Sequence, residues 1–186
     1  MKSKLMKVQI VFAHAMSKSP HAPFGNQNEL PWKFNSEDLS HFKNVTMNSV
    51  LVMGSKTFES LPGKLPFRPH IVVSSRAEAT AKDGSRPDVY CSYEDFGQLI
   101  TNIENVYHIE GFDTISVIGG PSVIESALPF ADCIYKTTIA EKIEAYDVTI
   151  DLTKITMLFP HSERQNIIEC TNGSTIFIDK LTKGDL

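Results

Sequence analysis

Three cysteines, one tryptophan and no long hydrophobic run are the scarcities of this 186-residue chain. Cys91, Cys133 and Cys170 are dispersed, with no CxxC pair. That argues against a disulfide framework and for buried free thiols in a reducing compartment. No apolar run approaches the ~18 residues of a membrane helix. Excess positive charge is missing too: 18 Lys and Arg against 22 Asp and Glu leave a formal charge of −4, which argues against a protein that coats nucleic acid. The six histidines (14, 21, 41, 70, 108, 161) show no HxH or HxxxH spacing, so no histidine metal site is expected. There is no GxSxG elbow, no GxGxxG fingerprint, no repeat and no low-complexity tract.

What is present is an ordinary globular composition, 41% hydrophobic and 22% charged, in a length that suits one domain over residues 1–186. Lys2, Lys4 and Lys7 precede an apolar stretch, Val8–Met16, that contains Ala13-His14-Ala15 and imitates a signal peptide. Gln9 and His14 interrupt it, and the stretch reads as a buried strand of a cytoplasmic protein. Continuous apolar runs recur at Val8–Ala15, Ser49–Met53, His70–Ser74, Thr114–Ile118 and Cys133–Ile139. Runs without alternation are buried on both faces, as in a mostly parallel sheet. Helical patterns fall between them: Ser36 opens one with Leu39, Phe42 and Val45, Ser92 with Asp95 opens one through Phe96, Leu99, Ile100 and Ile103, and Pro121 starts one with Val123, Ile124, Ala127 and Leu128. Arg164–Thr171 and Ser174–Leu181 flank Asn172-Gly173, which predicts a hairpin with a type I′ turn. The fold class expected is α/β, a mostly parallel sheet of about eight strands with flanking helices and an antiparallel edge. Met16–Asn28 and Arg76–Asp88 are the least structured stretches.

Three strand ends offer donors for anions. Ile118-Gly119-Gly120-Pro121-Ser122 is either a tight strand-to-helix turn or a backbone approach for phosphate. Gly54-Ser55-Lys56-Thr57 lacks the first glycine of a P-loop, and a second helix start with Lys56 and Thr57 remains. Ser74-Ser75-Arg76 adds two hydroxyls and a guanidinium. Their recurrence suits a phosphorylated cofactor along the carboxyl edge of the sheet. Glu37 and Asp38 either complement a helix dipole or divide the work: adjacent helical residues point about 100° apart, and Asp38, four before Phe42, is the inward candidate, leaving Glu37 as the solvated cap.

In this order the motifs resemble dihydrofolate reductase over nearly the whole chain from Val8. They are Gly25 then Leu30-Pro31-Trp32, Asp38-Leu39 with Phe42-Lys43, Val52-Met53-Gly54, Thr57-Phe58-Glu59-Ser60, Leu65-Pro66 with Arg68, Val73-Ser74-Ser75-Arg76, and Val117-Ile118-Gly119-Gly120. The six-residue step from Trp32 to Asp38 and Gly-Gly-Pro in place of three glycines look like the phage and eukaryotic variants. The resemblance implies NADPH as cofactor, dihydrofolate as substrate, antifolates such as methotrexate or trimethoprim as ligands, and a monomer with no nucleic acid, membrane or metal partner. It makes Asp38 the pterin-pocket acid, Thr137 its network partner, Trp32 the holder of an ordered water and Leu30 the loop residue over the nicotinamide. Phe42 and Leu65 sandwich the substrate, with Phe34 as a neighbour, and Arg68 grips the α-carboxylate of the glutamate tail. Ala13 lies beside the carboxamide. Gly25, Gly54, Ser55, Lys56, Thr57, Ser74, Ser75, Arg76, Ile118, Gly119, Gly120, Ser122 and Val123 fall in the cofactor segments, with Ser75 and Arg76 on the 2′-phosphate.

A cofactor that brings the hydride leaves the protein to align two rings and exclude water, which accounts for a site with few ionisable groups. Asp38 in such a pocket has a raised pKa and polarises the pterin edge, with water carrying the proton to N5. Two rivals remain: a same-fold reductase of a ribosylamino-pyrimidine in riboflavin synthesis, which gives no reason for Arg68, and a folate-binding structural protein with little turnover. Three departures from the family stand out: Phe67 where glycine is usual, Ile124 where many members carry tyrosine, and a longer loop from Met16 to Phe24.

Overall fold

The computed structural model describes residues 4–184. The chain runs β1 (Lys7–Ala15), β2 (His21–Gly25), α1 (Ser36–Thr46), β3 (Val50–Gly54), α2 (Ser55–Ser60), β4 (His70–Val73), β5 (Val89–Cys91), α3 (Phe96–Tyr107), β6 (Thr114–Gly119), α4 (Pro121–Ala127), β7 (Cys133–Ile139), β8 (Val148–Asp151), α5 (Leu152–Leu158), β9 (His161–Glu169) and β10 (Thr175–Thr182). Eight strands form one sheet in the order β5-β4-β3-β6-β1-β7-β10-β9, and β2 pairs separately with β8. Ladders from β5 through β4, β3 and β6 to β1 are parallel; β7/β10 and β10/β9 are antiparallel. This is the α/β class expected. No helix among the described residues is long and apolar enough to cross a membrane.

Two compact units divide the chain. One comprises the residues up to Ile10 with Thr46–Asp132, the other Val11–Val45 with Cys133 onward. In the first, Val50–Met53 are buried on consecutive residues, as strands covered on both faces must be. The α3 helix buries Phe96, Leu99, Ile100 and Ile103, and its cap is Asp95, which accepts the Gly97 N–H; Ser92 lies outside the helix and does not cap it. Pro121 stands in the first turn of α4, where its missing N–H is not needed. Cys133 and Cys170 are buried free thiols, whereas Cys91 is half-exposed.

In the second unit Ala15, Trp32, Ile139, Cys170, Ile176 and Ile178 form the core. The hairpin forms with a different turn from the one expected. Cys170 N–H donates to Ser174 O, Gly173 N–H donates to Cys170 O, and of the turn residues only Gly173 has positive φ, 86°. A three-residue loop closed by a left-handed glycine replaces the type I′ turn, which needs two residues of positive φ. Met16–Asn28 is also more ordered than its composition suggested: β2 lies within it, paired to Val148–Asp151. Leu39 is 44% exposed and is not a core residue.

Candidate functional site

The start of α1 is built by its flanks in the second unit. Asn35 caps it, its side-chain oxygen accepting the Asp38 N–H at 2.8 Å. Ser36, the expected cap, instead donates its hydroxyl to Glu37 at 2.9 Å. The hairpin turn clamps the same place: Asn35 Nδ2 donates to Ser174 Oγ (3.1 Å), Thr171 N–H donates to Glu37 Oε1 (3.0 Å) and Asn172 Nδ2 donates to Phe34 O (2.8 Å). Glu37 is thus a tether to the turn rather than a solvated cap, and its pKa is lowered, chiefly by the Thr171 N–H.

Asp38, one residue on, turns inward and is only 7% exposed. Burial raises its pKa to about 6, and among the described residues no cation or donor offsets that burial. Thr137 is buried on β7, and Ala13 packs on the core cluster that holds Trp32. Trp32 is itself buried, yet among the described residues its Nε1–H has no hydrogen-bond partner. A buried orphan donor calls for a water or a ligand atom. Phe42 is half-buried, while Leu30 and Phe34 are exposed. Gly25 ends β2 and accepts the Asp147 N–H at 3.1 Å. Two features escaped the sequence reading. His14 is buried and neutral, its pKa lowered to about 4 mainly by burial, with Nδ1 on Ala15 O and Nε2 on the Thr138 hydroxyl. His41 packs edge-on to Tyr135, its Nε2 buried without a partner among the described residues.

In the first unit Gly54 and Gly120 are the N-caps of α2 and α4, and neither cap has a side-chain hydrogen bond. The protein's own packing does not demand glycine at either. A Cβ on Gly54 would meet Val123 Cγ2 at 3.6 Å and Gly120 N at 3.8 Å, and one on Gly120 would meet Thr57 Oγ1 at 3.8 Å, all ordinary contacts. Both have φ of −76°, open to any residue. The missing side chains leave room over backbone N–H groups, a cradle that fits phosphate. Ser55, Lys56 and Thr57 follow Gly54, Ser122 lies two residues after Gly120, and Ser75 and Arg76 follow β4, the strand paired with β3; among the described residues no hydrogen bond or ion pair engages the Lys56 or Arg76 side chain. Ser74 accepts the Arg76 N–H at 3.1 Å. Ile118, Gly119 and Val123 are buried and offer backbone rather than side chains. Ile124, 1% exposed, belongs to the core.

The segment after α2 holds Leu65 and Arg68. Leu65 is half-buried, and its N–H donates to Nε2 of the fully buried His70 at 3.1 Å. Arg68 is 5% exposed and has no acidic partner among the described residues; Nε donates to Pro66 O (2.9 Å) and Nη1 to Thr46 Oγ1 (3.1 Å). Burial lowers its pKa. A buried cation without a counter-ion is costly unless an anionic ligand joins it. Phe67 has φ of +60° and is 78% exposed. Glycine suits that backbone better, which gives the departure at this position a physical meaning.

The chain is similar to known proteins over most of its length. The family model described as dihydrofolate reductase matches residues 9–171. Dihydrofolate reductase type 9 of Escherichia coli is 38% identical over 129 residues, 69% of this chain and 70% of that protein. Type A10 of Escherichia coli is 34% identical over 135 residues, 72% and 66% respectively. The dihydrofolate reductase of Bacillus subtilis strain 168 is 32% identical over 121 residues, 64% of each chain. The matched stretch spans about two thirds of these relatives' own length.

Proposed function

Because this chain belongs to the dihydrofolate reductase family, we propose that it reduces 7,8-dihydrofolate to 5,6,7,8-tetrahydrofolate at the expense of NADPH, and so serves one-carbon metabolism as a cytoplasmic, single-domain monomer. The observation that carries the reading is Asp38, an acid buried without a cation among the described residues, whose charge a ligand's N–H edge would satisfy. NADPH, when bound, would supply the hydride equivalent that reduction of the pterin requires, with a proton taken up at N5 to balance it.

The chain's own residues do the rest. Asp38 accepts from the amino and ring N–H edge of the pterin, with Thr137 in the same network. The orphan Nε1–H of Trp32 holds a water that carries the proton, since Asp38 is placed to polarise the ring and not to reach N5. Ala13 and Leu30 border the nicotinamide, Phe42 and Leu65 pack on the substrate, and Arg68 pairs with the tail carboxylate. Gly54–Thr57 and Gly119–Val123 cradle the phosphates, Gly25 lies in the loop that closes on the cofactor, and Ser74, Ser75 and Arg76 select the 2′-phosphate, hence NADPH over NADH. Apolar walls exclude water and strengthen each polar contact.

Steady-state NADPH oxidation tests the proposal. Dihydrofolate-dependent oxidation blocked by methotrexate is expected. Tight folate binding without turnover would instead indicate a structural folate binder, and oxidation driven only by a ribosylamino-pyrimidine phosphate would indicate the riboflavin-type reductase.

A further inference from the structure

A line of polar residues crosses the apolar interior of the first unit. Gln9 (β1), Ser116 (β6), Ser49 (just before β3) and Thr46 (the last residue of α1) are each between 0 and 3% exposed, and the two strand members have aliphatic neighbours. The sheet register sets Gln9 beside Ser116, and Ser116 beside Leu51, two residues after Ser49. Their hydrogen bonds have one direction. The Ser49 hydroxyl donates to Thr46 O at 2.6 Å, so the 2.7 Å contact with Ser116 is donated by Ser116, and Gln9 Nε2 donates to Ser116 Oγ at 2.9 Å. Thr46 then presents its hydroxyl to Arg68 Nη1 at 3.1 Å. The other recorded bond of the guanidinium is Nε to Pro66 O, so Nη2 is the part of the fork without a partner among the described residues.

Polar groups in such a core are retained only where every member is satisfied, and a satisfied network fixes geometry more tightly than packing alone. We propose that Gln9, Ser116, Ser49 and Thr46 form a positioning relay that holds Arg68 ready for a carboxylate, and that the relay sets affinity for the acidic tail of the substrate and not for its ring. This deepens the proposed function and rests on its assignment of Arg68 to the tail.

The test compares binding of folate, which carries the glutamate, with 6-methylpterin, which carries no carboxylate, followed by quenching of the single tryptophan. Ser49→Ala and Ser116→Ala weaken folate binding by about threefold or more and leave 6-methylpterin within about twofold, because only the tail contact is disturbed. Ser49→Thr, which keeps the hydroxyl, restores folate affinity. Because the readout is equilibrium binding, absence of turnover would count against the reductase reading alone. Equal losses for both ligands, no loss for either, or no folate binding by the unmutated protein overturns the relay. A Ser49→Ala protein that unfolds leaves the Ser116→Ala comparison to decide by the same criteria.

Discussion

The side-chain oxygen of Asn35 accepts the backbone N–H of Asp38 at 2.8 Å, and the amide of the same side chain reaches Ser174 at 3.1 Å. One residue therefore caps the helix, fixes where the buried acid stands, and ties both to the hairpin turn. Asn35→Ala is expected to cost about 1 kcal/mol of stability, the ordinary value of a cap. It should also lower turnover, because Asp38 is less well fixed, while NADPH affinity holds. Asn35→Ser, which restores a cap, should recover most of the stability in chemical denaturation.

Asp38 destabilises the ligand-free protein at neutral pH. Its pKa is raised from 3.8 to about 6 by burial, so its contribution is fully favourable below 3.8 and is lost as pH rises through 6. With about 1.4 kcal/mol per pKa unit, the ionised acid costs on the order of 3 kcal/mol above pH 6. Asp38→Asn, neutral at every pH, should raise the melting temperature by several degrees at pH 7. A lower melting temperature for that variant would contradict the account.

His14 and His70 act with the opposite sign. Both have pKa values lowered from 6.5 to about 4, mainly by burial. The unfolded chain therefore binds two more protons than the folded one between those values. Stability from these groups is present above pH 6.5 and is lost as pH falls toward 4, at about 1.4 kcal/mol per pH unit for each proton. Asp38 offsets one of them between 3.8 and 6. Denaturation measured at several pH values should thus steepen by about one proton in Asp38→Asn, and should flatten by about one proton in His70→Gln, whose amide oxygen still accepts the Leu65 N–H.

Phe67 holds a backbone conformation that suits glycine, with φ of +60°, while its ring is 78% exposed. Phe67→Gly removes strain and loses little packing, so thermal unfolding should shift upward, by about 1 kcal/mol. An unchanged or lower melting temperature would show that the exposed ring contributes more than the strain costs.

The architecture was legible where burial writes itself into consecutive residues. Val50–Met53 read as a strand and are one, because a strand covered on both faces is apolar on consecutive residues. Caps were less legible: Asn35-Ser36 and Ser92…Asp95 each offer two good cap residues, and the structure uses Asn35, held by Ser174, and Asp95, through the local Gly97 N–H. The turn at Asn172-Gly173 failed because loop length is set by strand register and not by the dipeptide. Asp38 was legible from its helical phase with Phe42. The line from Gln9 to Arg68 was not, because it joins residues from four separate stretches; the only trace was polar residues, Gln9 and Ser116, inside apolar runs.

The most direct measurement is the dihydrofolate-dependent rate of NADPH oxidation in the unmutated protein and in Asp38→Asn, followed from pH 5 to 8 alongside NADPH binding. Reduction consumes a proton, so the unmutated protein should lose rate as pH rises across this range, because the water that serves N5 delivers its proton less readily. Asp38→Asn should turn over at least about a hundredfold more slowly at pH 7 with NADPH affinity nearly intact. Equal turnover by the two proteins, or parallel loss of NADPH binding, would contradict the role given to the buried acid.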